Sequence, residues 1–148
     1  MLRPADQQDM RFLRDMLRHA YHCRIAEDPD LPVFRYVQNW GRRGDAGVIA
    51  SSGPNAYGAA WYRLFPASAP GFGFVDEETP ELTIAVVPGK RGHGTGAELL
   101  EALLDQARAD GFPQISLSAE PGQTGFYEKH GFGELGRDDR TVTMVASL

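Results

Sequence analysis

A single cysteine, Cys23, occurs in the 148-residue chain. That excludes an internal disulfide framework and fits a reducing compartment. Apolar runs are only a few residues long, too short for a membrane-spanning helix, so no membrane partner is expected. The opening stretch, MLRPADQQDM, lacks the apolar core of a secretory signal, and a cytoplasmic location is the expectation. There is no Lys/Arg-rich run, and the formal net charge is −5. Both argue against nucleic acid as the partner and favour cationic small substrates. Repeats and low-complexity tracts are missing as well.

What is present is an ordinary globular composition, 42% hydrophobic and 24% charged, long enough for one domain, 1–148, with a real core. Leu2 to Pro4 is a short candidate strand. Asp6 is placed to cap a helix running to Tyr21, with Met10, Leu13, Met16, Leu17 and Ala20 on one face. A second helical piece is expected after Pro32, with Val33, Tyr36, Val37 and Trp40 on one side and Gly41 ending it. His19, His22 and Cys23 lie between them; a closed structural metal site needs a further ligand that is not evident, so packing or surface roles are the better reading. Asp45–Ser51 and Ala56–Phe65 read as a hairpin around Ser-Gly-Pro-Asn. Pro66 to Glu78 is a loop in which Phe72 and Phe74 sit among glycines. It could be a lid over a ligand or a plug at the core edge.

The informative stretch runs from Pro80 to Ala107. A strand begins at Glu81 and carries Leu82-Thr83-Ile84-Ala85-Val86-Val87; a glycine-rich turn with Arg91 follows, then a helix over Thr95–Ala109 with a Leu99, Leu100, Leu103, Leu104, Ala107 stripe. Gly111 and Pro113 end that helix, and Gln114–Ser118 is the next strand, completing a βαβ unit with parallel strands. Gln123–His130 reads as a short helix, and Phe132–Gly136 with Thr141–Ala146 as a closing hairpin. The fold class is therefore α+β: a mixed, mostly antiparallel sheet with one parallel pair, flanked by helices.

Glycines wrapped round a helix N-terminus make an anion site, because unpaired N–H groups and the helix dipole point at it. A Walker A loop is excluded, since Ala97 follows Gly96. Gly92, Gly94 and Ala97 satisfy the relaxed dinucleotide pattern. However, Pro88-Gly89-Lys90-Arg91 separate it from the strand, and the chain holds one βαβ unit only. Arg91-Gly92-His93-Gly94-Thr95-Gly96 fits R/Q-x-x-G-x-G/A. It resembles the pyrophosphate loop of the GNAT superfamily, the acyl-CoA-dependent N-acyltransferases. About thirty residues on, Phe126-Tyr127-Glu128-Lys129-His130-Gly131-Phe132 resembles that family's second signature. The likeness covers Glu81 to Phe132, and the element order outside it agrees.

The resemblance implies acetyl-CoA as co-substrate, no metal, and direct attack by an amine on the thioester. Gly92, Gly94 and Gly96 would admit the pyrophosphate, Arg91 would add charge, and His93 and Thr95 share the loop. Backbone groups of Ile84, Ala85, Val86 and Val87 would pair with the pantetheine arm, and the Val86 N–H would polarise the carbonyl. Tyr127 matches the position that protonates the leaving thiolate; a phenol of pKa about 10 suits a thiolate of about 8–9, against a packing role. Glu81, sharing a face with Thr83 and Ala85, is offered as general base, against a solvated strand-entry carboxylate or a base acting through water. Glu120 stands where the family commonly has Asn, and Gly125 where Ala is usual, which unsettles detailed cofactor contacts of Glu120 and Gln123. The acceptor, a small-molecule or peptide amine, is not specified by these motifs. Monomer and homodimer stay equally open. A non-catalytic acyl-CoA sensor would keep the glycines but would not need Tyr127.

Overall fold

The computed structural model describes residues 1–20, 35–138 and 141–148. In chain order the elements are β1 (Leu2–Pro4), a 3-10 turn (Gln7–Asp9), α1 (Met10–Ala20), β2 (Ala46–Ser52), β3 (Asn55–Arg63) and β4 (Glu81–Val86). A 3-10 turn at Pro88–Lys90 leads to α2 (Thr95–Ala109), β5 (Gln114–Ala119), a turn at Pro121–Gln123, α3 (Thr124–Glu128), β6 (Gly133–Arg137) and β7 (Val142–Ser147). The strands form one seven-stranded sheet in the order β1-β2-β3-β4-β5-β7-β6. Every neighbouring pair is antiparallel except β4 and β5, as the sequence predicts. Among the described residues no helix is long and apolar enough to cross a membrane.

Sequence chemistry sets the element ends. The Asp6 side chain accepts from the Gln8 N–H, and the Asp9 carboxylate accepts from the Asp6 N–H. This capping box starts a 3-10 turn rather than α1 itself, which begins at Met10. Tyr21, His22, Cys23 and Val33 lie outside the described residues. From Arg35 the chain makes tight turns rather than a regular helix, yet Tyr36, Val37 and Trp40 are all buried. Strand alternation divides the core in two. Ile49, Ala59, Trp61 and Ala85 meet Leu13, Met16 and Leu17 of α1 on one face. Tyr62, Leu82 and Val86 meet Leu99, Leu100, Leu103 and Leu104 of α2 on the other. Each α2 leucine is essentially inaccessible, and full burial of such a side chain is worth about 1.5–3 kcal/mol.

Two packed polar groups fix what lies beside β4. Arg63, fully buried, makes a two-pronged bond to Asp45 at 2.9 and 2.6 Å. It also donates to the carbonyls of Arg35 and Gln38 at 2.7 and 2.6 Å and lies 5.5 Å from the Trp40 ring centroid. It thereby ties the 35–45 segment to the end of β3. Tyr36, held in that segment, donates its O–H to the Glu81 carboxylate and accepts from the Phe72 N–H at 2.8 Å. The loop after β3 is accordingly a plug. Phe72 stacks on Tyr36 with centroids 6.1 Å apart. A Cβ at Gly71 would strike the Glu81 carboxylate, and one at Gly73 would lie 2.6 Å from the Leu117 carbonyl carbon. At Gly73 the obstacle is fixed backbone, so only glycine fits there; at Gly71 a side chain would push the ends of Glu81 and Tyr36 aside.

Removing one partner of a buried ion pair leaves the other charge uncompensated and typically costs about 3–5 kcal/mol. Asp45→Ala is expected to lower unfolding free energy by about that amount in urea titrations. A loss below about 1 kcal/mol would reduce the pair to a surface-like contact.

Candidate functional site

β4 and β5 touch through one bridge, Glu81 opposite Ser116, with the Ser116 N–H donating to the Pro80 carbonyl at 2.9 Å. Beyond it the strands part, while β4 stays paired with β3 from Glu81 to Val86 and β5 with β7 from Gln114 to Ala119. The gap is a cleft of about 1040 Å³, ample for an extended small-molecule ligand. Its walls are Leu82 to Val86 on one side and Leu117 to Glu120 on the other. The glycine loop closes one end, Phe126 and Tyr127 stand on the α3 side, and His19 and Ala20 come from α1.

The edge of β4 facing this gap can be worked out from its pairing. In an antiparallel ladder alternate residues turn both backbone groups toward the same neighbour. The Val87 N–H donates to the Tyr57 carbonyl at 2.9 Å, so Val87, Ala85 and Thr83 face β3. The even-numbered residues Leu82, Ile84 and Val86 face the gap. Two independent bonds agree: the Pro80 carbonyl points to β5, and the Val86 carbonyl accepts from Arg91 Nε at 2.9 Å. Of the four residues expected to offer backbone groups to a pantetheine arm, Ile84 and Val86 are therefore the ones whose groups turn into the gap. Ala85 lines the cleft as well, but its backbone groups belong to the β3 ladder. Val87 faces a separate shallow groove beside Phe12 and Met16.

At the closed end, Gly92 and Gly94 have φ of +84° and +80°, a region that L side chains rarely enter. Gly94 is the residue preceding α2 and brings no capping side chain. The first N–H groups of this fifteen-residue helix thus open toward the cleft beside Thr95, Gly96 and Ala97. Arg91, bonded back to Val86, places its cation at the junction of strand and loop. His93 is exposed and is not on the wall.

Tyr127 lies across from β4, 8% exposed, between Phe126 and Phe132 with ring centroids 5.1 and 6.0 Å away. Burial pushes its phenol up to about 12, above the ordinary value expected from sequence. Glu81 shares its face with Thr83 and Ala85 as strand alternation requires. Its carboxylate, however, is 1% exposed, takes the Tyr36 O–H, and is not on the cleft wall. Glu120 and Gln123 do line the cleft. His19 and Ala20, considered in the sequence only for metal binding and core packing, line it too. The helix period places both on α1 but does not reveal that they reach this cleft. Among the described residues no group of three or more His, Cys, Asp or Glu could hold a metal ion.

Comparison with known proteins agrees with this geometry. The ribosomal-protein-alanine N-acetyltransferase from Brucella melitensis superposes with a TM-score of 0.69 at 21% identity, covering 100% of this chain and 99% of that one. The structure of yncA, a putative acetyltransferase from Salmonella typhimurium, with its cofactor acetyl-CoA, gives 0.72 at 19%, covering 100% and 93%. The paia N-acetyltransferase from Thermoplasma acidophilum in complex with coenzyme A gives 0.69 at 12%, covering 100% and 99%. At these identities the likeness is one of fold. No curated protein sequence matches the chain. The model of the acetyltransferase (GNAT) family matches residues 11–132, most of the chain, and the protein belongs to that family.

Proposed function

We propose that the protein is an N-acetyltransferase that moves the acetyl group of acetyl-CoA to an amine, carried by a small molecule or a peptide, by direct attack. The observation that carries this reading is the parting of β4 from β5 directly above a glycine-lined helix N-terminus, with Tyr127 on the facing wall. The pyrophosphate would lie on the α2 N-terminus with Arg91 beside it. The pantetheine arm would run along Ile84 and Val86 as an added strand. The Val86 N–H, turned into the gap, is the group best aimed to polarise the thioester carbonyl. Holding amine and thioester together supplies roughly 7–11 kcal/mol of the barrier reduction.

The thiolate then departs toward Tyr127. A phenol near 12 facing an ordinary thiolate of about 8.5 makes full proton transfer uphill by about 5 kcal/mol. Tyr127 therefore serves first as a hydrogen-bond donor to the leaving sulfur. The same apolar surroundings raise the thiolate's own proton affinity and narrow that gap. The base role considered for Glu81 would have to act through an intervening group, since its carboxylate sits behind the wall under Tyr36.

Acetyl-CoA at about 100 times its Kd is expected to stabilise the fold by about 2.7 kcal/mol, read as a thermal shift; no shift with any acyl-CoA would sink the assignment. Gly94→Ala forces a side chain into a left-handed conformation beneath the phosphates, and calorimetry should show acetyl-CoA binding weakened about ten-fold. Tyr127→Phe should lower kcat about ten- to a thousand-fold with the acetyl-CoA KM little changed. Because the phenol loses its proton only as pH rises through about 12, wild-type kcat should show no fall due to Tyr127 up to about pH 10. An unchanged kcat in the variant, with chemistry rate-limiting, would leave Tyr127 a packing residue.

A further inference from the structure

In the proposed reaction Tyr127 must meet the departing sulfur at one point of the cleft wall, yet the element that carries it is slight. α3 has five residues, Thr124–Glu128, and no side-chain cap at its N-terminus. Isolated helices below about 12 residues do not hold themselves in water, so neighbours must fix its position. One side of the Tyr127 ring is secured by the chain itself. Phe132 lies 6.0 Å away between ring centroids, and its N–H donates to the Tyr127 carbonyl at 3.2 Å. Another side rests on Phe126, 5.1 Å away and edge-on.

Phe126 has less to lean on, being 36% exposed on the cleft wall. Toward α2 it meets Gly96, where a Cβ would come 3.6 Å from its Cζ. At that point the helix offers it backbone and no side chain. Phe126 also meets His130, four residues on and just past the end of α3, with ring centroids 5.1 Å apart. His130 Nδ1 in turn lies 2.6 Å from a carboxylate oxygen of Glu101, on α2 and 29 positions earlier in the chain. The His130 ring therefore links Glu101 to Phe126, and its side chain is 16% exposed where that of Glu101 is 56% exposed.

Resting on the acyl-CoA reading of this cleft, we propose that His130 is a positioning residue for Tyr127. Bonded to Glu101, it holds Phe126 against the first turn of α2, and Phe126 keeps the phenol in place for the leaving sulfur. The same contacts join the helix that would carry the pyrophosphate to the segment that would meet the thiol. Both ends of the cofactor are thereby registered against α2. His130 is not on the cleft wall and acts through the two rings.

Fluorine NMR of protein labelled with meta-fluorotyrosine reads the Tyr127 ring without any acceptor, its resonance being the one missing from Tyr127→Phe. In variants shown to be folded by circular dichroism, His130→Ala and Glu101→Ala should each move that resonance and leave the other tyrosine resonances in place. Glu101→Gln, whose amide can bond either imidazole tautomer, should restore the wild-type position. A tie this near the surface is weak, so His130→Ala should lower kcat only about three- to ten-fold, measured with an amine identified by coenzyme A release. The acetyl-CoA KM should stay unchanged, and the variant should lose nothing further in a Tyr127→Phe background. A general loss of structure would act equally in both backgrounds. Should His130→Ala fail to fold, Glu101→Ala carries the same measurements. An unmoved Tyr127 resonance, or an equal kcat loss with and without the phenol, overturns the role of His130. Failure of acetyl-CoA to stabilise the wild type strikes instead at the acyl-CoA reading beneath it.

Discussion

The cleft depends on how little β4 and β5 share. Each strand has a full antiparallel partner on its other side, and the two meet through one parallel bridge at Glu81 and Ser116. A complete parallel ladder would bury the gap-facing groups of Ile84 and Val86 and leave no site. A complete separation would cut the sheet into two halves, each with an exposed edge. One bridge keeps the sheet continuous while leaving strand groups open to a ligand that can hydrogen-bond like a further strand.

The bridge is held from the α1 side. Gly71 lies against Glu81 and Gly73 against the Leu117–Ser118 backbone, so the plug spans the seam at its paired end. Tyr36 fastens this plug through Phe72 and Glu81, and Arg63 fastens the segment carrying Tyr36. A buried guanidinium with a carboxylate and two carbonyls for partners satisfies most of its donors at once. The chain of contacts from Asp45 to Glu81 gives that carboxylate a structural task, whatever part it takes in catalysis.

Much of this was legible in the sequence for identifiable reasons. The leucine stripe of α2 and the glycines before it are strong local signals, and the helix occupies the expected Thr95–Ala109. The parallel pair followed from the strand-helix-strand spacing. Strand alternation tells which face a side chain takes, but not which edge its backbone groups take. Choosing Ile84 and Val86 over Ala85 and Val87 therefore required the register with β3. Glu81 reads as an exposed acid because its neighbours Asp76, Glu77 and Glu78 are polar. Its burial comes from Tyr36, which is distant in sequence. The phenol of Tyr127 likewise reads as one of ordinary acidity, since nothing local announces that Phe126 and Phe132 enclose it.

A β-sheet ordinarily walls off one side of a domain from the other. Here the walls of a single cleft include residues of α1 on one side of the sheet and of α2 and α3 on the other, so the parting of two strands is a passage through the sheet. Such a passage has two mouths. In the proposed reaction two ligands would enter from opposite ends, neither having to leave first. The lining at the α1 end can then change while the other end and its glycine loop stay as they are.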